Sequence, residues 1–322
     1  MNSVLFRVSF LGLVVFVLAL VVLVNIAHAR GRVKGVEPGK DRAMTILHGG
    51  LKRSYLLHVP AGYSPDRAWP LVFVLHGGGG DGARVAKLTR FSREADRAGF
   101  IVVYPDAVNR HWNDGRRVQR FRAQREGVDD VGFVAALVER LAKDLGVDTN
   151  RVYATGISNG GMMCHRLGCE LSGRIAAIAP VAASMPELLL DSCRPAQPVS
   201  VLAINGTADP LVPFEGGAVG LLKKRGRVAS VAQTVAAWIQ ANQCAARPET
   251  TLLPDTDPRD GVRVRRETWS GGRNGSEVIL YTVEGGGHTW PGGTERLRRF
   301  GRTCRDIDAT ALIWQFFERH SR

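Results

Sequence analysis

Cysteine is scarce, with five in 322 residues. No CxxC or HxxxH spacing accompanies them, which sets zinc aside, and no other metal site is expected. Aromatic residues are sparse too, at 7%. No basic run is interleaved with them as single-strand nucleic-acid binding requires, so nucleic acid is not an expected partner. Acidic residues are outnumbered, 30 Asp and Glu against 43 Lys and Arg, for a net charge of +13. The surplus is mostly arginine scattered through 110–125, 223–227, 263–266 and 296–305. It reads as a basic surface, with attraction to an anionic wall, membrane or polymer as the sharper alternative. No internal repeat and no low-complexity tract is present, which excludes solenoid and repeat architectures.

Charge is also missing at the start. Arg7 is the only charged residue before position 30, and 8–26 is almost wholly apolar. Ala27-His28-Ala29 then fits a signal-peptidase site, with cleavage before Arg30. The apolar run is longer than the roughly 7–15 residues usual in a signal peptide, so an uncleaved anchor is the alternative. Either one exports the remainder of the chain, to the periplasm or beyond. Residues 30–45 read as a polar linker and 46–322 as one catalytic domain. Export permits disulfides. Cys169 with Cys193 is the expected bridge, because both flank one helix–strand unit; Cys244 with Cys304 is a weaker second pairing.

What the chain has in abundance is alternation. Apolar runs at 54–60, 71–76, 100–104, 151–156, 175–181, 199–205 and 278–283 read as strands. Helical patterns at 85–98, 129–145, 160–171, 228–242 and 308–320 separate them, with Asp129 or Asp130 capping the second. Such β–α alternation predicts an α/β fold, a mostly parallel sheet with helices on both faces. Residues 106–127 and 210–227 lack periodicity and are expected to be loops over a site.

Three short motifs sit at strand ends. Gly156-Ile157-Ser158-Asn159-Gly160 follows a strand and opens a helix, the setting of a nucleophile elbow, which makes Ser158 the candidate nucleophile. His76-Gly77-Gly78-Gly79-Gly80 follows a buried strand. Its bare amides from Gly77 or Gly78, with the amide of Asn159, form the candidate oxyanion hole, and His76 is expected to orient the loop rather than act as a base. Gly285-Gly286-Gly287-His288 follows the last apolar strand and presents His288 as the general base. Between them, Asp209 follows the strand at 199–205 and is the candidate acid. The chain order Ser, Asp, His is that of the α/β-hydrolase fold. Trp112, Phe214 and Trp290 form an apolar acyl subsite or pack under loops; both readings stay open.

These residues, together with Pro105-Asp106-Ala107, Trp112-Asn113-Asp114, Val128-Asp129-Asp130-Val131 and Asn205–Pro213, resemble the polyhydroxybutyrate depolymerase family over roughly 45–320. That family is related to the feruloyl and acetyl xylan esterases of carbohydrate esterase family one. The resemblance implies a Ser-Asp-His triad on Ser158, Asp209 and His288. It implies ester substrates, from polyesters to aromatic or acetyl esters and short synthetic ones, and no cofactor. Members that attack solid polyester commonly carry an additional binding domain, which is not expected here. Related chains also place a Cys shortly after the Trp at 269 and pair it with the Cys at 244; here Ser270-Gly271-Gly272 follow, so that bridge is expected to be absent. Acyl transfer to a sugar or lipid acceptor, and a non-catalytic surface-binding module on the same fold, are the competing functions. Oligomeric state is not readable from the chain.

Overall fold

The computed structural model describes residues 36–293 and 298–322. The expected signal or anchor, 1–29, lies outside the described residues. The chain begins with a hairpin, β1 (Asp41–His48) and β2 (Leu51–His58), turned at Gly49-Gly50 with φ positive at both residues. There follow β3 (Trp69–Leu75), α1 (Gly82–Thr89), α2 (Phe91–Ala98), β4 (Ile101–Pro105), α3 (Asp130–Leu145), β5 (Val147–Ile157), α4 (Asn159–Glu170), β6 (Ala177–Val181) and β7 (Ser200–Gly206). A two-strand ribbon, β8 (Gly217–Ala218) with β9 (Arg227–Val228), leads to α5 (Val231–Asn242). The chain closes with β10 (Glu249–Leu252), β11 (Arg263–Trp269), β12 (Val278–Glu284) and α6 (Ala309–Phe317).

One sheet takes the order β1-β2-β4-β3-β5-β6-β7-β12-β11-β10. From β4 to β12 every neighbour is parallel, and antiparallel hairpins finish both edges. The central strands are apolar throughout because both faces are covered. Leu71, Phe73 and Leu75 point to one side, against Phe133 and Leu137 of α3, Leu167 of α4 and Trp238 of α5. Val72 and Val74 point to the other, against Phe91 of α2 and Trp314, Phe316 and Phe317 of α6. Among the described residues no helix is long and apolar enough to cross a membrane.

Several boundaries depart from the sequence reading. Strand β1 begins inside the stretch read as a linker, and β10 and β11 carry no apolar run. All three lie at or next to a sheet edge, where one covered face or none is enough and charged residues are tolerated. The helix expected over 85–98 is two helices. Arg90 breaks it at φ 57°, with its N–H on the Ala86 carbonyl, and the new direction turns Phe91 inward against Phe100 and Trp290. Val228 belongs to β9, and α5 starts three residues later behind a capping box of Ser230 with Gln233. Asp129 is the N-cap of α3, accepting from Gly132 N–H at 2.8 Å, while Asp130 is wholly buried.

The Cys169–Cys193 disulfide forms, with Cα atoms 5.1 Å apart. The Cys244–Cys304 pairing does not: Cys304 is buried near Asp260 and Asp306, and Cys244 lies near Gly272 and Ser276. A Cβ built on Gly272 would stand 2.9 Å from Cys244 Sγ, a disulfide's reach, and Gly272 has an extended backbone that any residue adopts. That Cβ also meets Ser276 Oγ at 2.4 Å and the Ser276 carbonyl oxygen at 2.6 Å, so the hydroxyl must rotate away and the 272–276 turn must shift to admit it. Gly272→Cys is therefore expected to close a bridge to Cys244 under oxidising conditions. Titration of the denatured protein would then find thiols only at Cys164 and Cys304.

His165 of α4 is fully buried, and its Nδ1 accepts from the Trp238 indole N–H at 3.1 Å. Burial drives its pKa down to about 3. The unfolded chain binds a proton there below about 6.5 while the folded chain does not, so this residue's contribution is lost as pH falls from 6.5 towards 3. His165→Gln is expected to make the fall of unfolding free energy between pH 6 and pH 4 shallower. The change is at most about 1.4 kcal/mol per pH unit, read from urea melts. Parallel pH profiles for the two proteins would refute it.

Candidate active site

The site is assembled where the parallel strands end. Ser158 stands between β5 and α4 at φ 59°, ψ −122°, a conformation that costs a non-glycine residue about 1–3 kcal/mol. The turn is held by Ser158 N–H on the Val181 carbonyl (2.9 Å) and Met162 N–H on the Ser158 carbonyl (2.8 Å). Its flanks have no room for side chains. A Cβ on Gly160 would lie 2.2 Å from the Leu75 carbonyl oxygen, and one on Gly156 would lie 2.6 Å from the same atom. Ser158 is half-buried at the amino end of a twelve-residue helix, where free N–H groups and the dipole favour negative charge.

The glycine loop after β3 lies directly against this turn. A Cβ on Gly77 would be 3.5 Å from Ser158 Cβ, and one on Gly78 would be 3.6 Å from Asn159 Cβ. His76 orients the loop, as expected. Its Nε2 accepts from Ala107 N–H (3.1 Å), so its Nδ1 carries the proton and donates to the Gly77 carbonyl (2.8 Å). Burial pushes its pKa down and keeps it neutral.

Behind the loop is a buried polar cluster that sequence reasoning missed. Asn159 Oδ1 accepts from Trp112 N–H (2.8 Å), and Asn159 Nδ2 donates to Asp114 Oδ2 (2.6 Å). The same carboxylate is gripped by Arg116 through Nε (2.9 Å) and Nη2 (2.6 Å), and Gln124 donates to its other oxygen (3.0 Å). Asp130 pairs with Arg53 at 2.6 Å and accepts from Asn113 N–H (2.8 Å). The stretch 112–116 has no regular secondary structure and is nevertheless fixed at both ends. The two stretches expected as loops over a site meet here: Arg116 Nη1 donates to the Arg225 carbonyl at 2.7 Å.

Asp209 follows β7 and His288 follows β12, adjacent parallel strands. His288 Nδ1 and Asp209 Oδ2 are 2.7 Å apart, and both side chains are more than nine-tenths buried. The other Asp209 oxygen accepts from Leu211 and Val212 N–H at 2.7 and 2.9 Å. The 285–287 glycines let the turn pack tightly, since a Cβ on Gly287 would lie 2.1 Å from the Phe300 carbonyl oxygen. Ser158, Asp209 and His288 thus all follow the carboxyl ends of parallel strands, β5, β7 and β12, at the same end of the sheet.

Of the two readings left open for Trp112, Phe214 and Trp290, packing under loops holds for both tryptophans, which therefore do not line an acyl subsite. Trp112 has no exposed surface; its ring lies 5.1 Å from His76 and its indole N–H donates to the His76 carbonyl, so it supports the glycine loop from behind. Trp290 is core as well, T-shaped against Phe91 and bonded to Thr310 Oγ1. Phe214 remains half-buried. Instead the structure sets His111, read as lying in an unstructured stretch, beside the loop: a Cβ on Gly78 would be 3.1 Å from its Nε2. As for metals, Asp260, Cys304 and Asp306 offer ligand atoms within 4.8 Å of one another. Both carboxylates there already accept backbone N–H groups, and burial lifts the Cys304 thiol to about 11.

A parallel sheet with helices on both faces, a strained serine turn and a buried Asp–His pair define an α/β-hydrolase. Solved structures share the fold. A thermostable esterase matches with a TM-score of 0.55 at 18% identity, over 88% of this chain and 63% of its own. The acetyl xylan esterase of Aspergillus awamori matches with 0.55 at 15% identity, over 77% and 94%. Residues 53–184 fit the family described as Esterase PHB depolymerase. NocK of Nocardia uniformis subsp. tsuyamanensis, an esterase by name, is 35% identical over 268 residues, 80% of this chain and 76% of NocK. Feruloyl esterase B of Piromyces equi is 28% identical over 243 residues, 73% of this chain and 42% of that one. The chain belongs to the PHB depolymerase esterase family, as its motifs indicate.

Asp114→Ala is expected to cost about 3–5 kcal/mol in unfolding free energy, because it leaves the Arg116 guanidinium buried without its counter-ion. Arg116→Met added to it should recover part of the loss. A double variant no more stable than Asp114→Ala in urea melts would show that the pair is not the source of the cost.

Proposed function

We propose that this protein is a serine esterase that hydrolyses carboxylic esters by two-step acyl transfer. The observation that carries the reading is the 2.7 Å bond between His288 Nδ1 and Asp209, at the end of the parallel strands that presents Ser158. With Nδ1–H donated to the carboxylate, the Nε2 lone pair is left to act as a base. Ser158 Oγ attacks the ester carbonyl as its proton passes to His288 Nε2, and the C–O double bond opens to an oxyanion. The amides of Asn159 and of Gly77 or Gly78 receive that charge. Collapse breaks the bond to the alcohol, which takes the proton from His288. Water then repeats the sequence on the acyl-enzyme and frees Ser158 and the acid. Asp209 holds the imidazole in the correct tautomer and stabilises its cation.

The substrates proposed are those of the family and of the named relatives: feruloyl and acetyl esters, hydroxyalkanoate esters and short-chain esters. Export is part of the reading. The Cys169–Cys193 bridge suits an oxidising compartment, in keeping with a leader over 1–29.

Hydrolysis of 4-nitrophenyl acetate and butyrate, methyl ferulate and acetylated xylan tests the proposal. Ser158→Ala and Asp209→Asn are each expected to lower kcat by about 10⁴-fold or more, with folding intact by circular dichroism. Turnover that persists in folded Ser158→Ala would sink the nucleophile. Absence of turnover on every ester by folded wild-type protein would move the reading to a transferase or a binding module.

A further inference from the structure

Cations gather on one wall of the site. The ring of His111, set against Gly78, stacks on Phe121 with centroids 3.9 Å apart and planes at 14°. Arg120 Cζ lies 5.0 Å from the centre of that Phe121 ring. Arg225 joins from the facing loop, tied down through its carbonyl by Arg116. The three guanidinium groups are not equivalent. Arg116 is neutralised by Asp114 at 2.6 Å. Arg120 and Arg225 are exposed and have no ion-pair partner among the described residues, whereas nearby Arg122, Arg166 and Arg227 are each paired with a glutamate. Partial burial, then Arg120 and Arg116, lower the pKa of Arg225. Burial first, then Arg225, Arg116 and Arg120, hold down that of His111 against its bond to the Asn109 carbonyl. The wall therefore presents two guanidinium groups without a carboxylate partner among the described residues, next to a loop whose neighbour is the nucleophile. An anion brought in by the ligand would supply that partner.

We propose that Arg120 and Arg225 form an anion subsite that selects esters bearing a free carboxylate, held there while the scissile carbonyl lies in the Gly77–Gly78 loop. A carboxylate fits the guanidinium fork, and at this exposed wall it can pair while keeping part of its hydration. Neutral esters of the same size lack this contact. The inference rests on the serine-esterase reading for its chemistry, but its recognition step is measurable without turnover.

Two substrate pairs test it, each differing only in a terminal carboxylate or primary amide. On the acyl side these are mono-4-nitrophenyl suberate and its amide; on the alcohol side, 4-carboxyphenyl and 4-carbamoylphenyl butyrate. Each kcat/KM is divided by the hydroxide-catalysed rate of the same ester. In at least one pair the carboxylate is expected to be preferred about tenfold at low salt, a preference that shrinks as ionic strength rises. In Arg120→Gln/Arg225→Gln the ratio is expected to fall close to one, the amide serving as each protein's internal reference. Equal rates within both pairs for wild-type enzyme, or a preference that survives the double variant, would overturn the subsite. If no ester is turned over, calorimetric binding of the same compounds to Ser158→Ala decides separately: tighter binding of the carboxylates, lost with both arginines replaced, supports the subsite, and equal binding rejects it.

Discussion

Everything at this site depends on the register of two neighbouring strands. β3 and β5 run parallel with Leu75 opposite Gly156, so both chains leave the sheet at the same level. One exit becomes the serine turn and the other the glycine loop. The Leu75 carbonyl oxygen occupies the space a Cβ would need at both Gly156 and Gly160, which is why neither accepts a side chain. A larger residue at either position would drive the strands apart and separate Ser158 from the amides beside it. The strain at Ser158 is tolerated because the surrounding sheet leaves the chain no alternative path.

The second determinant is polar and lies outside the sheet. Two buried carboxylates, Asp114 and Asp130, hold a stretch of chain with no ladder of its own, through Arg116 and Arg53 and through backbone and amide donors. Burial pushes the Asp130 carboxyl upward against the pull of Arg53, which marks how dry this region is. Buried ion pairs are poor sources of net stability. Their value here is positional, since they convert an irregular loop into a rigid backing for Asn159 and the glycine loop. Trp112 has the same role in apolar form.

Where the sequence was readable, the reason was periodicity or chemistry confined to a few adjacent residues. Continuous apolar runs marked β3, β4, β6 and β7, and glycines around a single Ser or His marked the turns that come after strands. Edge strands β1, β10 and β11 were hidden because their pattern is set by neighbours, and an exposed strand reads like a loop. Trp112 and Trp290 illustrate a different limit. An aromatic residue near a motif is equally suited to a pocket wall or to a core, and only the direction of its side chain decides. The Asp114 cluster was invisible because its members meet across 45 positions of chain, from Asp114 to Asn159. His111 lay in a stretch without periodicity, and nothing local told that it would reach Gly78.

The direction of the strands has one more consequence. β1 runs from Asp41, level with His58 and with the start of β4, towards the end of the sheet where Ser158 and His288 stand. At the other end of the chain, the Arg322 N–H bonds to the Asn150 carbonyl and Tyr153 Oη to the His320 carbonyl, both near the start of β5. Both ends of the described chain therefore lie on the side away from Ser158 and His288. A molecule held by either end to a surface would turn its mouth outward, toward whatever diffuses past.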